Sequence, residues 1–393
     1  MTTRTRTPWT EEPAVTSLPD TLPRRDAAPT PAPTPEPTAE PTAEAVAERV
    51  LTAVVGGFEA LAVHVGDRLG WYRDLRAHGP ATPQQLAART GTQERYAREW
   101  LEQQAVAGLL RVVPGDGQRR YELPAGAAEA LTDPDSLAHL APLPRMLAAV
   151  GAHLPELLRA YRDGGGVSWE ALGDDARESQ ADLNRPWFLH ALPGALAGVP
   201  QVREVLARPG ARALDVGCGA GWSSVALALA HPALEVVGVD VDAASVEAAR
   251  AHAAAAGVAD RVTFRCADAA RLDEVGAFDL ALAAECVHDM PDPVGVLAAV
   301  HRAVRPDGAV VVVDEAVAEE FTAPGDEVER AMYGFSLFVC LPDGLSAGPG
   351  SAGTGTVMRR PVLERYARAA GFAGARVLPV EGFALLRFYL LPR

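Results

Sequence analysis

The chain has 393 residues, and its 36 basic and 51 acidic side chains give a formal net charge of −15. This balance excludes a protein that coats nucleic acid, and a hydrophobic content of 48% excludes a wholly disordered chain. The length predicts two or three domains. Every basic residue is arginine, which excludes Walker-type phosphate loops and Schiff-base enzymes because both depend on lysine.

Cysteine and hydropathy patterns predict a reducing, cytoplasmic setting. The four cysteines contain no CxxC pair, which fits neither a zinc site nor a disulfide-rich scaffold. The nine histidines show no metal-ligand spacing, so we predict no metal. No apolar stretch of about 18 residues occurs, and no apolar segment follows the N-terminal arginines, so we expect neither a membrane span nor a secretion signal.

The first 44 residues are predicted to form a flexible, partly polyproline tail. They contain ten prolines and eleven threonines. Such a composition cannot bury enough apolar surface to offset its ordering entropy. The alternative is a docking motif for a partner.

Residues 45–131 are predicted to form a winged helix. One helix starts at Pro83, with Thr82 as N-cap and Gln85 as its capping-box partner. Thr92 is expected to cap a second helix that runs to Leu110. The segment RVVPGDGQRRYEL then predicts two short strands around a glycine-containing turn.

The charge of this winged helix argues against DNA binding. Residues 79–123 contain six arginines and five acids, which leaves almost no footprint for phosphates. Dimerisation, or a cover over a substrate, is the favoured role. Residues 132–205 are predicted to be a helical connector that can also wall a pocket.

Residues 206–393 show the pattern of a parallel α/β sheet with helices on both faces. Short apolar runs that end in Asp or Gly alternate with helical stretches. The predicted strands lie in ARALDVG, LEVVGVD, RVTFRC, FDLALAA and GAVVVVD.

A glycine-rich turn follows the first of these strands. Gly217, Gly219 and Gly221 have the spacing GxGxG, with Trp222 next, and so differ from the dinucleotide fingerprint GxGxxG. The turn indicates a ligand that approaches the backbone closely. Asp215, two residues before the first glycine, suits a ligand with a cationic ammonium group.

Two more carboxylates follow the next strands. Asp240 ends the second strand, where a carboxylate can accept both hydroxyls of a ribose, and Asp268 follows the third and could hold an adenine amino group. The alternative is structural: the glycines form a tight turn and the acids cap helices.

The set Asp215-x-Gly217-x-Gly219-x-Gly221, Asp240 and Asp268 resembles the class I S-adenosylmethionine-dependent methyltransferases. From about residue 45 onward the chain also resembles small-molecule O-methyltransferases with a winged-helix domain. It is similar to a bacterial methyltransferase family that shares GGGVSW, NRPWF, VHDMPDP and GTGTVMR. The resemblance implies a Rossmann-like seven-stranded sheet with an antiparallel last strand in FALLRFYLL, S-adenosylmethionine as cofactor, and a homodimer.

The resemblance also implies roles for the residues after the fourth strand. His288 is the candidate general base, Asp289 its helper, and Glu285 a cofactor-binding residue. An imidazole is largely neutral at pH 7 and can accept a proton, but His288 could instead be a cap or position the substrate. Glu315, at the end of the fifth strand, could orient His288 or a substrate hydroxyl, or cap the next helix.

Two further sets of side chains are candidates for the wall of a substrate pocket, and one of them is more typical of a core. An apolar stripe is predicted to be core rather than wall; it comprises Met332, Phe335 and Val339, with Tyr333 and Phe338 beside them. The other set, in the connector, comprises Trp169, Asn184 and Trp187. The glycine-rich loop SAGPGSAGTGTVMRR is expected to be a mobile lid or a family-specific loop before a helix that begins near Pro361.

The sequence therefore predicts a methyltransferase that acts on a small molecule, with oxygen as the favoured acceptor. The alternative is a protein that binds S-adenosylmethionine for a regulatory or non-methylating role. The glycine spacing disfavours a nicotinamide oxidoreductase. Nucleic acid is disfavoured as a substrate because the chain is acidic.

Overall fold

The structure is a computed structural model that describes residues 40–114 and 117–393. Residues 1–39, which make up most of the predicted tail, and residues 115–116, in the predicted turn, lie outside the described residues. No helix in the described ranges combines the length and the apolar character needed to cross a bilayer.

The N-terminal part contains five helices and one hairpin. The elements are α1 (Ala43–Arg68), α2 (Trp71–His78), α3 (Pro83–Thr90), α4 (Glu94–Val106), β1 (Arg111–Val113), β2 (Arg120–Glu122) and α5 (Ala125–Thr132). Strands β1 and β2 pair antiparallel. The helices and hairpin have the predicted winged-helix arrangement.

Aromatic packing organises this part. The ring of Trp100 lies 4.8 Å from that of Trp71 and 5.0 Å from that of Tyr72. Gly66 of α1 is required there, because a Cβ at this position would come within 2.3 Å of the Trp100 ring. The close approach holds the C-terminal turns of α1 against α4.

The predicted helix starts are right at α3 and wrong at α4. Thr82 accepts the N–H of Gln85, whose side chain accepts the N–H of Thr82 at 2.9 Å, so the capping box forms. Thr92 does not cap α4, whose N-cap is Gln93, and the helix ends at Val106. The Thr92 hydroxyl instead accepts a hydrogen bond from the Trp71 indole N–H at 3.3 Å.

Five helices form the connector. They are α6 (Leu143–Ala152), α7 (Leu154–Asp163), α8 (Trp169–His190), α9 (Leu192–Ala197) and α10 (Pro200–Leu206). Helix α8 is kinked at Gly173, where φ is 78°. Buried Arg145 of α6 donates to Asp67 of α1 at 2.8 Å and to Asp182 of α8 at 2.9 Å, so one side chain joins three helices.

The C-terminal part is built on seven strands. In chain order it contains β3 (Arg212–Val216), α11 (Trp222–Ala230), β4 (Glu235–Asp240), α12 (Ala243–Ala255), β5 (Val262–Cys266), a 3₁₀ turn (Ala269–Arg271), β6 (Phe278–Ala284), α13 (Pro293–Ala303), β7 (Val304–Glu315), α14 (Glu327–Phe335), a π-helical segment (Ser336–Cys340), α15 (Leu341–Ser346), α16 (Arg360–Ala369), β8 (Arg376–Val377) and β9 (Leu386–Leu390).

The strand order is β5-β4-β3-β6-β7-β9-β8. The first five strands in this order are parallel, and β9 pairs antiparallel with both β7 and β8. The predicted seven-stranded sheet with an antiparallel last strand is therefore confirmed. Strands β4 and β5 lie on one side of β3, and β6 and β7 lie on its other side. The carboxyl end of β3 is therefore the topological switch point, where open α/β sheets bind ligands.

Alternate residues of the buried strands pack into two apolar layers. Ala213 of β3 lies in the layer that contains α11, whereas Leu214 and Val216 lie in the layer that contains α13. Both faces of the sheet are thus covered, and its carboxyl edge is left for ligands.

Candidate functional site

The predicted site residues come from the carboxyl ends of five adjacent strands. Asp215 and the glycine turn belong to β3, Asp240 to β4, Asp268 follows β5, Glu285 follows β6, and Glu315 ends β7. Because these strands are parallel neighbours, the residues lie along one edge of the sheet.

The three positions of the turn are glycine for different structural reasons. All have positive φ: 63° at Gly217, 50° at Gly219 and 79° at Gly221. A Cβ at Gly217 would come 2.7 Å from the Cβ of Cys286, and one at Gly221 would come 2.7 Å from the Phe264 ring. A Cβ at Gly219 would meet no protein atom within 4 Å. Gly219 thus offers open space for a ligand against the backbone.

Asp215 lies beneath this turn and is only 1% exposed. Its Oδ2 accepts the hydroxyls of Ser223 and Ser224, both at 2.6 Å. Burial raises the pKa of Asp215 to about 6, although these hydrogen bonds oppose the shift. The two serine hydrogen bonds connect Asp215 to the first turn of α11 and stabilise that turn.

Asp240 is joined directly to the open side of the turn. Its carboxylate accepts the N–H of Gly219 at 2.8 Å and the N–H of Asp242 at 2.9 Å. Burial raises the pKa of Asp240. A carboxylate has about four lone-pair directions, so this one can still accept two ligand hydroxyls.

Asp268 has the contacts of a helix cap. It accepts the N–H of Ala270 at 2.9 Å and lies 3.4 Å from Nε of Arg271. These contacts match the structural alternative for this residue. The carboxylate is exposed, so a ligand at the sheet edge can still reach it.

Side chains from the segment after β6 and from the end of β7 form a second group, which we call the acid–imidazole cluster: Glu285, His288, Asp289, Asp314 and Glu315. His288 is 2% exposed, and its Nδ1 lies 2.9 Å from Oδ1 of Asp314 and 3.1 Å from Oε2 of Glu315. Glu315 thus contacts His288 and does not cap the next helix, whose N-cap is Asp326.

The surroundings of His288 differ from those of the unperturbed imidazole that the sequence argument assumed. Burial favours the neutral ring, but Glu315 and Asp314 outweigh it and raise the pKa of His288 well above its usual value. The two neighbouring carboxylates therefore favour the charged form of the ring. Burial also raises the pKa of Glu315, to about 8.

Glu285 has an unusual backbone. Among residues 40–114 and 117–393 it is the one non-glycine residue with positive φ, at 51°. Its carboxylate accepts a hydrogen bond from the Asn184 side chain of α8, and burial together with Glu315 raises its pKa to about 7. Backbone strain of this kind clusters at functional sites. Asn184, predicted as a pocket wall, therefore reaches the cluster.

Sequence patterns missed two residues beside His288. Asp314 is adjacent to the predicted Glu315. A carboxylate at the end of a buried strand could have been recognised in the sequence as a candidate site residue. Cys340 ends the π-helical segment; its sulfur, a carboxylate oxygen of Asp289 and a ring nitrogen of His288 lie within 4.8 Å of one another. No sequence spacing indicates this contact.

The other proposed wall residues divide between core and surface. Met332 and Val339 are buried in apolar clusters, as the core interpretation predicts, and Phe335 packs against both clusters. Tyr333 and Phe338 are more than a third exposed.

In the connector, the Trp187 ring lies 5.5 Å from that of Phe383. The backbone N–H of Trp169 donates to Asp343 at 2.7 Å. The Trp187 ring and the Trp169 backbone therefore join the connector to the C-terminal part.

Comparisons with known families agree with the two folds. Residues 207–336 match the model of a methyltransferase domain. Residues 57–133 match the model of the Rv2258c-like winged HTH domain.

Two curated relatives match part of the chain. The 27-O-demethylrifamycin SV methyltransferase of Amycolatopsis mediterranei is 39% identical over 108 residues, which are 27% of this chain and 39% of that protein. The ubiquinone biosynthesis O-methyltransferase of Pseudomonas aeruginosa is 38% identical over 103 residues, 26% of this chain and 43% of that protein. The alignments thus span about two fifths of these relatives.

A solved structure matches much more of the chain. Mitomycin 7-O-methyltransferase MmcR superposes with a TM-score of 0.66 over 89% of this chain and 99% of that one, at 24% sequence identity. At this identity the likeness shows the fold. The chain therefore combines an Rv2258c-like winged-helix domain with a methyltransferase domain of the class I, S-adenosylmethionine-dependent fold.

Proposed function

We propose that the protein transfers a methyl group from S-adenosylmethionine to an oxygen atom of a small molecule. The observation that carries the proposal is the pairing of Gly219 with Asp240. The glycine leaves open space against the backbone, and its N–H donates to the Asp240 carboxylate. Lone pairs that remain on this carboxylate suit the hydroxyls of a ribose. The named activities of the two curated relatives support the same chemistry.

The residues present suit this cofactor. Asp240 would hold the ribose, Gly219 the close backbone approach, and Asp268 the adenine side of the site. Asp215, Gly217 and Gly221 would maintain the turn, and Glu285 would lie toward the cationic end. S-adenosylmethionine carries a sulfonium and an ammonium, and the carboxylates of the acid–imidazole cluster suit two positive charges.

The cofactor supplies a methyl group that its sulfonium already activates, so the protein must align the acceptor and exclude water. We propose that His288 takes the acceptor proton through the ring nitrogen that does not face Asp314. Asp289 and Glu315 would position the ring. A positive charge on the bound cofactor would favour the neutral form of His288, which can accept the proton.

The connector would form one wall of the acceptor pocket, since Asn184 reaches Glu285. The acidic cluster favours an acceptor without carboxylate or phosphate groups. The four cysteines are free, which supports a reducing cytoplasmic setting.

We also propose a homodimer in which a second copy covers α1. Only the last third of this 26-residue helix contributes buried residues. Its earlier turns expose large apolar side chains, for example Val50 at 58%, Leu51 at 63% and Phe58 at 67%. A contiguous apolar face of this kind marks an interaction surface.

Calorimetric titration tests the cofactor half of the proposal. We expect S-adenosylmethionine and S-adenosylhomocysteine to bind and NADH not to bind. Absence of binding by both sulfur ligands would refute the proposal. Binding without methyl transfer to any of a panel of hydroxylated small molecules would favour the regulatory alternative.

Substitution of His288 tests the acceptor half. His288→Ala should leave the affinity for S-adenosylhomocysteine nearly unchanged, because the contacts proposed for the cofactor lie elsewhere, and it should lower turnover by about 100-fold or more. Full turnover in this variant would show that His288 does not take the proton.

A further inference from the structure

The backbone around Glu285 is fixed by strands on both sides of β6. The N–H of Glu285 donates to the carbonyl of Val313 in β7 at 2.8 Å. The thiol of the next residue, Cys286, donates to the carbonyl of Val216 in β3 at 3.2 Å. These contacts hold Glu285 at its positive φ of 51°, a conformation that a side chain rarely adopts without such support.

Glu285 also lies between the two halves of the proposed site. On one side, Cys286 packs so closely on the glycine turn that a Cβ at Gly217 would come 2.7 Å from its Cβ. On the other side, the charges of Glu315 and His288 act on the Glu285 carboxylate. The turn belongs to the proposed cofactor site, and His288 belongs to the proposed acceptor site. Glu285 thus lies at the junction, where a methyl donor and an acceptor have to meet.

The connector supplies a hydrogen-bond donor to this carboxylate, because the side chain of Asn184 in α8 donates to it. Burial and the charge of Glu315 raise the pKa of Glu285 to about 7, whereas His288 and the Asn184 hydrogen bond oppose the rise. Since a pKa of about 7 lies at neutral pH, loss of the Asn184 donor would leave the carboxyl mostly neutral there.

A second contact of α8 aligns Asn184 with the sheet edge. Arg177 pairs with Asp242, which follows β4, through hydrogen bonds of 2.7 Å and 3.0 Å. Arg177 and Asn184 are seven residues apart, so they lie two turns apart on the same face of the helix. This face therefore contacts the sheet edge both after β4 and after β6, and the amide of Asn184 is held against Glu285.

We propose that Asn184 is a positioning residue, which holds Glu285 as the carboxylate that favours S-adenosylmethionine over S-adenosylhomocysteine. The two ligands differ in charge at sulfur: departure of the methyl group to the acceptor oxygen leaves the bonding electron pair on sulfur, which then carries no positive charge. A carboxylate within about 4–6 Å of a cation favours the charged form by about 10-fold or more. The inference rests on the proposed function and adds a means of distinguishing reactant from product.

The ratio of two dissociation constants tests this role without any methyl acceptor. A carboxylate that faced only the ammonium group, which both ligands share, would strengthen both ligands equally. A carboxylate that faces the sulfur strengthens only S-adenosylmethionine. A site with this preference also releases S-adenosylhomocysteine readily and is weakly inhibited by it.

Calorimetry of the full chain with each ligand at pH 8 measures the ratio. Glu285→Gln keeps the size of the side chain and can still accept from Asn184, but it removes the charge. We expect the affinity for S-adenosylmethionine to fall by about 10-fold or more and that for S-adenosylhomocysteine to change by less than about twofold. An equal loss for both ligands would overturn the proposal, as would a ratio that stays at the wild-type value.

The pH profile of the ratio tests Asn184 itself. In the wild type, the preference for S-adenosylmethionine should rise with pH through about 7, as Glu285 ionises. Asn184→Leu removes the donor with little change in volume, so it should raise the pKa of Glu285 and shift this rise to higher pH. Glu285→Gln should lose the rise. A loss of packing alone would not shift the profile, so an unshifted profile in folded Asn184→Leu would refute the role of Asn184.

Arg177→Leu provides a matched control on the same face of α8. It removes the pairing with Asp242 and leaves the Asn184 hydrogen bond, so both affinities should fall by a similar factor and their ratio should stay unchanged. A changed ratio in this control would show that the docking of α8 sets the preference, which would overturn the proposal. If neither ligand binds the wild type, the proposed function fails as well; if both bind and the ratio ignores Glu285, only this inference fails.

Discussion

Alanine substitution at Gly219 separates ligand contact from folding. The residue has φ of 50°, and a Cβ there would meet no protein atom within 4 Å. The expected loss of folding stability is therefore that of an alanine with positive φ, about 1–2 kcal/mol. If a ligand lies against this backbone, the new methyl group overlaps it.

The expected loss of affinity follows from that overlap. An extra methyl group in a well-packed contact costs about 1–3 kcal/mol. Converted to binding, this is about a 5- to 150-fold weakening of S-adenosylhomocysteine. Gly221→Ala should behave differently, because its Cβ would come 2.7 Å from Phe264 and 2.8 Å from Ala249, so this variant should lose folding stability first.

Gly276→Ala provides the matched control. Gly276 has φ of 56° and equally open space, but it lies just before β6 at the opposite edge of the sheet. Both variants should show similar shifts in thermal unfolding, and only Gly219→Ala should lose affinity by calorimetry. Equal affinities for the two variants would refute the placement of the ligand.

Three further substitutions test other parts of the structure. Asp240→Ala should weaken cofactor binding by more than about 100-fold in calorimetry, because two hydrogen bonds to a charged acceptor contribute about 1.5–3 kcal/mol each; a loss below tenfold would contradict the ribose assignment. Asp215→Asn tests the pKa of about 6 that burial gives this carboxyl, against the ordinary 3.8. Protonation of the Asp215 carboxyl stabilises the folded protein at low pH, and this stability is lost as pH rises through 6. Relative to wild type, the variant should therefore gain up to about 3 kcal/mol of unfolding free energy between pH 4 and 7, as measured by thermal unfolding. A pH-independent difference between the two proteins would refute this. Arg145→Met should cost about 3 kcal/mol by leaving buried Asp67 short of a partner. Arg73 also pairs with Asp67, at 2.8 Å, but its side chain is 59% exposed, so Arg73→Met should cost about 1 kcal/mol or less.

Sequence patterns predicted the parts of the site that lie on continuous chain segments. The glycine turn and Asp240 follow buried strands, and the order of strands and helices places them at one edge of a parallel sheet. The spacing could not assign separate roles to the glycines. Those roles depend on Phe264 of β5 and on Cys286, which follows β6.

The environment of His288 was beyond sequence reasoning for a similar reason. Its expected neutrality assumed an imidazole with an unperturbed pKa, whereas the fold buries it against two carboxylates of β7. Cys340 reaches the same ring from a π-helical segment that the apolar stripe did not distinguish from an ordinary helix. Thr92 shows the same limit on a smaller scale, since a tryptophan from another helix takes its hydroxyl.

Helix α8 belongs to the connector in the sequence but contacts the C-terminal part through its side chains. It lies outside the segment that matches a methyltransferase domain, yet Arg177 pairs with Asp242 at 2.7 Å, Asn184 with Glu285, and the Arg185 guanidinium stacks 5.1 Å above Trp222. Arg68 of α1 pairs with the same helix at Glu178. A fragment that starts at residue 206 would keep the whole sheet but lose the α8 side chains that contact Asp242, Glu285 and Trp222, so the smallest unit that keeps the proposed site intact extends into the connector.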